Sequence, residues 1–161
     1  MLDKKYRPAF KLGGIFFVDK WVMITSEEAK TLSLASKQLK NMNIEITNHN
    51  GVFIAELIAD EIVIKDVQDA LDVMANATYS GAEKVIIHAK NITPDFFDLK
   101  TKLAGEILQK FSNYRVPLAI VGNFSKYTSK SLRDFIYESN NGRAVSFVSS
   151  SEEAKEKLSK K

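Results

Sequence analysis

The chain contains no cysteine. That excludes a disulfide framework, a thiolate nucleophile and thiolate metal sites, and it fits a reducing cytosol. Histidine is nearly as scarce, with two residues, His49 and His88. No apolar run is long enough to cross a membrane. The most apolar stretch, residues 13–24, is split by Asp19 and Lys20, whereas a span needs about 20 apolar residues. A signal peptide is not expected either, because the apolar run at 15–18 is short and no small-residue cleavage site follows it. The glycine-rich cradle of a nucleotide-binding P-loop is missing, and no serine stands in a nucleophile-elbow context. No cofactor and no metal is implied by any motif.

What is there suits one well-filled domain. The 161 residues are 45% apolar and 27% charged, an ordinary globular balance. The net charge of +3 is unevenly placed. Residues 1–41 hold eight Lys/Arg against four Asp/Glu, and the rest of the chain holds fifteen against sixteen. The body therefore has no basic excess of the kind that binds nucleic acid.

From Met42 onward the pattern is regular. Residues 43–47 alternate polar and apolar, as a half-buried strand does. Residues 49–51 carry a turn signal, and Asn50-Gly51 favours a hairpin to a nearly all-apolar, and so central, strand at 52–59. Asp66 can cap a helix whose apolar residues Val67, Ala70, Leu71, Met74 and Ala77 recur with a 3.6-residue period, and Gly81 stops it. Residues 85–87 form a short buried strand, followed by a loop from Ala89 to about Asp98. The next helix carries Leu99, Leu103, Ala104, Ile107, Leu108 and Phe111 on one face. Residues 118–121 are a further apolar strand, and residues 122–128 a loop. A helix with Leu132, Phe135 and Ile136 inward ends at Gly142. Val145 and Phe147 alternate in the last strand, and Ser150 with Glu153 has capping-box spacing for a final helix.

The expected order is β-β-α-β-α-β-α-β-α: an α/β domain whose mixed sheet opens with an antiparallel hairpin and continues with parallel strands. Residues 1–41 fit this rhythm less well. Strand pieces at 16–18 and 21–24 and a helix at 26–40 are one reading, making a genuine extra element. The other is an upstream extension, with translation starting at Met42 and a domain of residues 42–161.

The runs TPDFFDLKT at 93–101, LAGEILQKF at 103–111, LAIVG at 118–122 and SKSLRDFIYES at 129–139 closely resemble an uncharacterised bacterial family. The resemblance covers about residues 42–160 and carries no function with it. A more distant likeness is to STAS domains, in which a strand is followed by an Asp, a phosphorylatable Ser and a helix rich in small residues. Asp98 resembles that Asp, and Ala104-Gly105 the small pair. Leu99 stands where the serine would be, which puts the phosphorylation switch in doubt; Thr101 lies two residues further on.

Four candidate sites stand beside plainer explanations, which for the lone His88 is a structural role. Adjacent Phe96 and Phe97 diverge on any regular element. One can be core and the other a surface anchor for a partner, or both can tuck under a loop. Asp95 and Asp98 can ligate a hard cation, or one can cap the helix while the other complements its dipole. Lys126, Tyr127, Thr128, Ser129, Lys130, Ser131 and Arg133 surround a helix start that is either an anion site or an ordinary solvated cap. His88 ends a buried strand at the edge where α/β sheets bind ligands, and with Asp95 or Asp98 it could do acid–base work.

The leading expectation is a non-catalytic, cytosolic protein-interaction or regulatory module of the STAS-like kind. Its surface would comprise Phe96, Phe97, Asp98, Thr101, Lys126, Tyr127, Lys130 and Arg133. Its partner would be another protein rather than nucleic acid or a membrane, and a homodimer is compatible. The alternative is a small-molecule or anion-binding protein, or an enzyme, using His88 and the loops after the central strands.

Overall fold

The computed structural model describes residues 11–12, 15–16, 26–27, 30 and 43–160. The chain divides into two units, Met1–Ser36 and Lys37–Lys161. In the first, β1 (Lys11–Leu12) pairs antiparallel with β2 (Ile15–Phe16), and Ser26, Glu27 and Lys30 are helical. The rest of the strand pieces expected at 16–18 and 21–24, the rest of the helix at 26–40, and Met42 lie outside the described residues.

The second unit opens with the hairpin. β3 (Asn43–His49) pairs antiparallel with β4 (Val52–Ile58) in unbroken register. Asn50 and Gly51 both have positive φ, 54° and 83°. These are the two left-handed central residues of a type I′ turn, whose twist matches that of the strands. Then α1 (Val67–Tyr79), β5 (Lys84–His88), α2 (Leu103–Asn113), β6 (Leu118–Val121), α3 (Lys130–Asn141), β7 (Val145–Val148) and α4 (Ser151–Ser159) follow. The sheet order is β3-β4-β5-β6-β7, antiparallel at the first pair and parallel afterwards. This is the mixed α/β sheet expected from the alternation of elements.

Side-chain alternation on the strands divides the core in two. Ala55, Leu57, Val85, Ile87, Leu118, Ile120, Val145 and Phe147 face α1, α2 and α3. Ile54, Ile86, Ala119, Val121 and Val148 face the other way and pack against Ala154 and Leu158 of α4. Glu56 and His88 share this second face, since they are two residues along from Ile54 and Ile86. The helix starts follow their side chains: Asp66 accepts from Asp69 N–H at 2.9 Å, and Ser150 from Glu153 N–H at 3.2 Å.

One expected element is shorter than its sequence pattern. The helix read as including Leu99 begins at Leu103. Residues Leu99–Thr101 form a separate 3₁₀ turn, and Lys102 breaks the chain with φ 64°. The Asp98 carboxylate takes Lys100 N–H at 3.1 Å, and the Thr101 hydroxyl donates to the Asp95 and Asp98 carbonyls at 2.7 and 2.8 Å. Local side-chain bonds of this kind compete with helix propagation. Among the described residues, no helix is long and apolar enough to cross a membrane.

Candidate functional site

The carboxyl edge of the sheet holds a buried ionic cluster. Glu56, on interior strand β4, is 7% exposed in an otherwise apolar segment. Burial alone would raise its pKa. Bonds from Ser151, Lys155 and His88, together with the Lys155 charge, outweigh burial and hold the carboxyl below its ordinary value. Its Oε1 accepts from Ser151 Oγ at 2.6 Å and lies 2.8 Å from His88 Nε2, and its Oε2 lies 3.0 Å from Lys155 Nζ.

An ionised carboxylate only accepts, so His88 Nε2 carries the proton in this bond and Nδ1 is the ring's other nitrogen. The positions follow from the fold. His88 is the last residue of β5, and Ser151 and Lys155 come from the first turns of α4, one turn apart. His88 and Lys155 remain partly exposed beside the nearly buried Glu56.

The arrangement is not a nucleophile triad. In that chemistry the imidazole lies between the hydroxyl and the carboxylate, whereas here Ser151 and His88 both bind the same oxygen, Oε1. The Lys155 ammonium makes one of its three possible bonds to Glu56, and His88 spends one ring nitrogen of two. Among the described residues, no three His, Asp or Glu side chains gather as a metal site.

Further along the same edge lies an open hollow of about 580 Å³, lined by Gly122, Asn123, Phe124, Ser125, Phe147, Val148, Ser149 and Glu153. His88 pairs with Val121 and Val121 with Val148, so the cluster and the hollow lie along one row across the strand ends. Gly122 is required here. A Cβ at that position would sit 2.7 Å from Ala89 Cβ and 3.3 Å from the Phe124 ring.

The two loops expected to form a recognition surface do meet, by a different route from the one anticipated. Phe96 and Phe97 are 1% and 6% exposed, so neither is a surface anchor. They lie in a short 3₁₀ turn, Pro94–Phe97, whose two sides are both covered. Their rings touch edge to face at 5.0 Å, and Phe97 stacks on Tyr127 at 4.9 Å and 20°. Phe124 extends the cluster to Phe147.

The polar members of the set have local tasks. Asp98 caps its own turn, and Thr101 closes it and accepts from Leu103 N–H. Ser129 caps α3, Arg133 donates to the Thr128 carbonyl, Lys130 pairs with Asp134, and Lys126 lies over the Tyr127 ring. Asp98, Thr101, Lys126, Lys130 and Arg133 are exposed and Tyr127 is half-buried. His88 takes Glu56 as its carboxylate partner, in place of the Asp95 or Asp98 anticipated from sequence, because Glu56 shares its sheet face.

Sequence reasoning missed Glu56, Ser151 and Lys155. The one available signal was a glutamate inside the apolar run of residues 52–59, since a carboxylate placed there must find donors.

The fold and this edge define an α/β domain with a charged cluster at the carboxyl ends of its strands. The model of a family described as Domain of unknown function (DUF4180) matches residues 49–158, and the chain belongs to that family. No curated protein and no solved structure matches the chain significantly.

Proposed function

We propose that the domain binds a small anionic ligand at the carboxyl edge of its sheet. Lys155 is the charged contact group, His88 and Ser151 line the site, and Glu56 is the residue that positions them. The observation behind this reading is the convergence of three donors on one buried carboxylate, at the edge where open α/β sheets take ligands. Lys155 keeps donors that Glu56 does not use, whereas the one Ser151 hydroxyl proton is given to Glu56.

The test is a thermal-shift panel on the full chain with inorganic phosphate, a dicarboxylate and a nucleoside monophosphate. A ligand at ten times its Kd stabilises the native state by about 1.4 kcal/mol. At least one class should raise the melting temperature, and Lys155→Met should abolish that rise. No shift with any class, or a shift that survives Lys155→Met and His88→Ala, contradicts the proposal.

A second reading is a cytosolic, STAS-like protein-interaction module of bacterial type, with the surface over the Phe97–Tyr127 stack as its binding face. The stack favours it by holding the two loops together and leaving Asp98, Thr101, Lys126, Lys130 and Arg133 exposed around it. With both phenylalanines buried, recognition on this surface would be polar. A Lys126→Glu, Arg133→Glu double variant should then lose a partner captured by the wild type from native cytosol. Capture unaffected by the double variant would count against this reading.

A further inference from the structure

The two edges of the sheet are finished in opposite ways. At β7 the Asn140 side chain of α3 donates to the Phe147 carbonyl at 3.1 Å and accepts from Phe147 N–H at 2.7 Å. The amide occupies the place of a neighbouring strand, and all four β7 residues are buried. At β3 no such device is present among the described residues. The strand is seven residues long and pairs with β4 without a bulge. It contains no proline, lysine or arginine, and none of its residues is buried.

Native proteins protect long, flat edges with those very features. The two-residue turn makes His49–Val52 the hydrogen-bonded closing pair. Alternation then turns the N–H and C=O groups of Ile44, Ile46 and Asn48 away from β4. Apolar surface accompanies them, since Ile46 is 36% and Phe53 46% exposed. Both side chains lie on the face that carries Ala55 and Leu57.

We propose that β3 is a homodimer edge, pairing antiparallel with β3 of a second copy about a two-fold axis at Ile46. The sequence is self-complementary in this register. Ile46 meets Ile46 of the second copy, Glu45 meets Thr47, Ile44 meets Asn48 and Asn43 meets His49, so all seven residues pair and no like charges are opposed. Moving the axis to Glu45 would set two glutamates face to face, which destabilises a pair, and would drop two residues at the end of each strand. Moving it to Thr47 shortens the pairing equally. In the Ile46 register, Ile44, Ile46, Phe53 and their copies form one apolar stripe across the joint. The main-chain bonds supply affinity, as in strand addition generally.

Sedimentation velocity of the full chain across the micromolar range tests this. The weight-average mass should climb from the 18.1 kDa of one chain towards twice that value. Ile46→Pro removes the outward N–H at the axis from a position where an edge strand tolerates proline. It should keep the circular dichroism spectrum and weaken dimerisation at least tenfold. Ile46→Lys sets two cations against each other and should also weaken it, with partial recovery in high salt. A chain that stays monomeric throughout, or a dimer undiminished in both variants, overturns the proposal.

Discussion

A carboxylate in the middle of an apolar strand gives up its water and must recover that loss from donors. Glu56 recovers it from Ser151, His88 and Lys155, at charge-assisted bonds worth about 1.5–3 kcal/mol each in general. Glu56→Gln keeps the shape and removes the charge. Because Lys155 can turn towards solvent, the expected net loss of stability is about 1–3 kcal/mol, read from urea unfolding. The pH dependence has a definite sign. A carboxyl whose native pKa is lowered contributes stability that is fully present above its ordinary range and is lost as pH falls through the native value. Wild type should therefore lose its advantage over Glu56→Gln as pH drops below about 4. Parallel stability profiles for the two proteins would contradict this assignment. Phe96→Ala and Phe97→Ala should each cost about 3–5 kcal/mol, since both rings are buried. A near-neutral result at either would mean that its ring is not packed as described.

At the scale of elements, the strand ends and helix starts depend on a few specific residues. Asn140→Ala removes both bonds to the Phe147 backbone and leaves that N–H and C=O without their partner. We expect a loss of about 1–3 kcal/mol, with faster amide exchange at Phe147. Gly122→Ala must displace Ala89 or Phe124 and should cost about 1–3 kcal/mol; an unchanged melting temperature would show that the β6 loop yields freely.

Much at this scale was legible in sequence. The Asn50-Gly51 turn, the Asp66 cap, the Ser150 cap and the apolar run of β4 each rest on neighbouring residues, and each is found in the structure. The helix break at Lys102 was not legible, because the Asp98 and Thr101 side-chain bonds leave no trace in apolar periodicity. The Glu56 cluster was hidden for another reason. Its partners come from β5 and α4, far along the chain, and only folding brings them onto one sheet face. The burial of Phe97 likewise depends on Tyr127 and Phe124, from a different loop.

Across the whole domain, the sheet separates two environments. Three helices cover one face, and among the described residues α4 packs on the other. The polar cluster sits where α4 begins and the β5 strand ends, so the same contacts that fasten α4 also orient His88 and Lys155 at the sheet edge. Fastening alone would leave those groups indifferent to added anions, whereas a binding site would not.

The most direct measurement is a ¹H–¹⁵N NMR titration of the full chain with inorganic phosphate, a dicarboxylate and a nucleoside monophosphate in turn. Saturable shifts centred on His88, Ser151 and Lys155 are expected with at least one of them, and they should be lost in Lys155→Met. Spectra unchanged by all three, or shifts confined to the loops around Asp98 and Lys126, would contradict the proposed site.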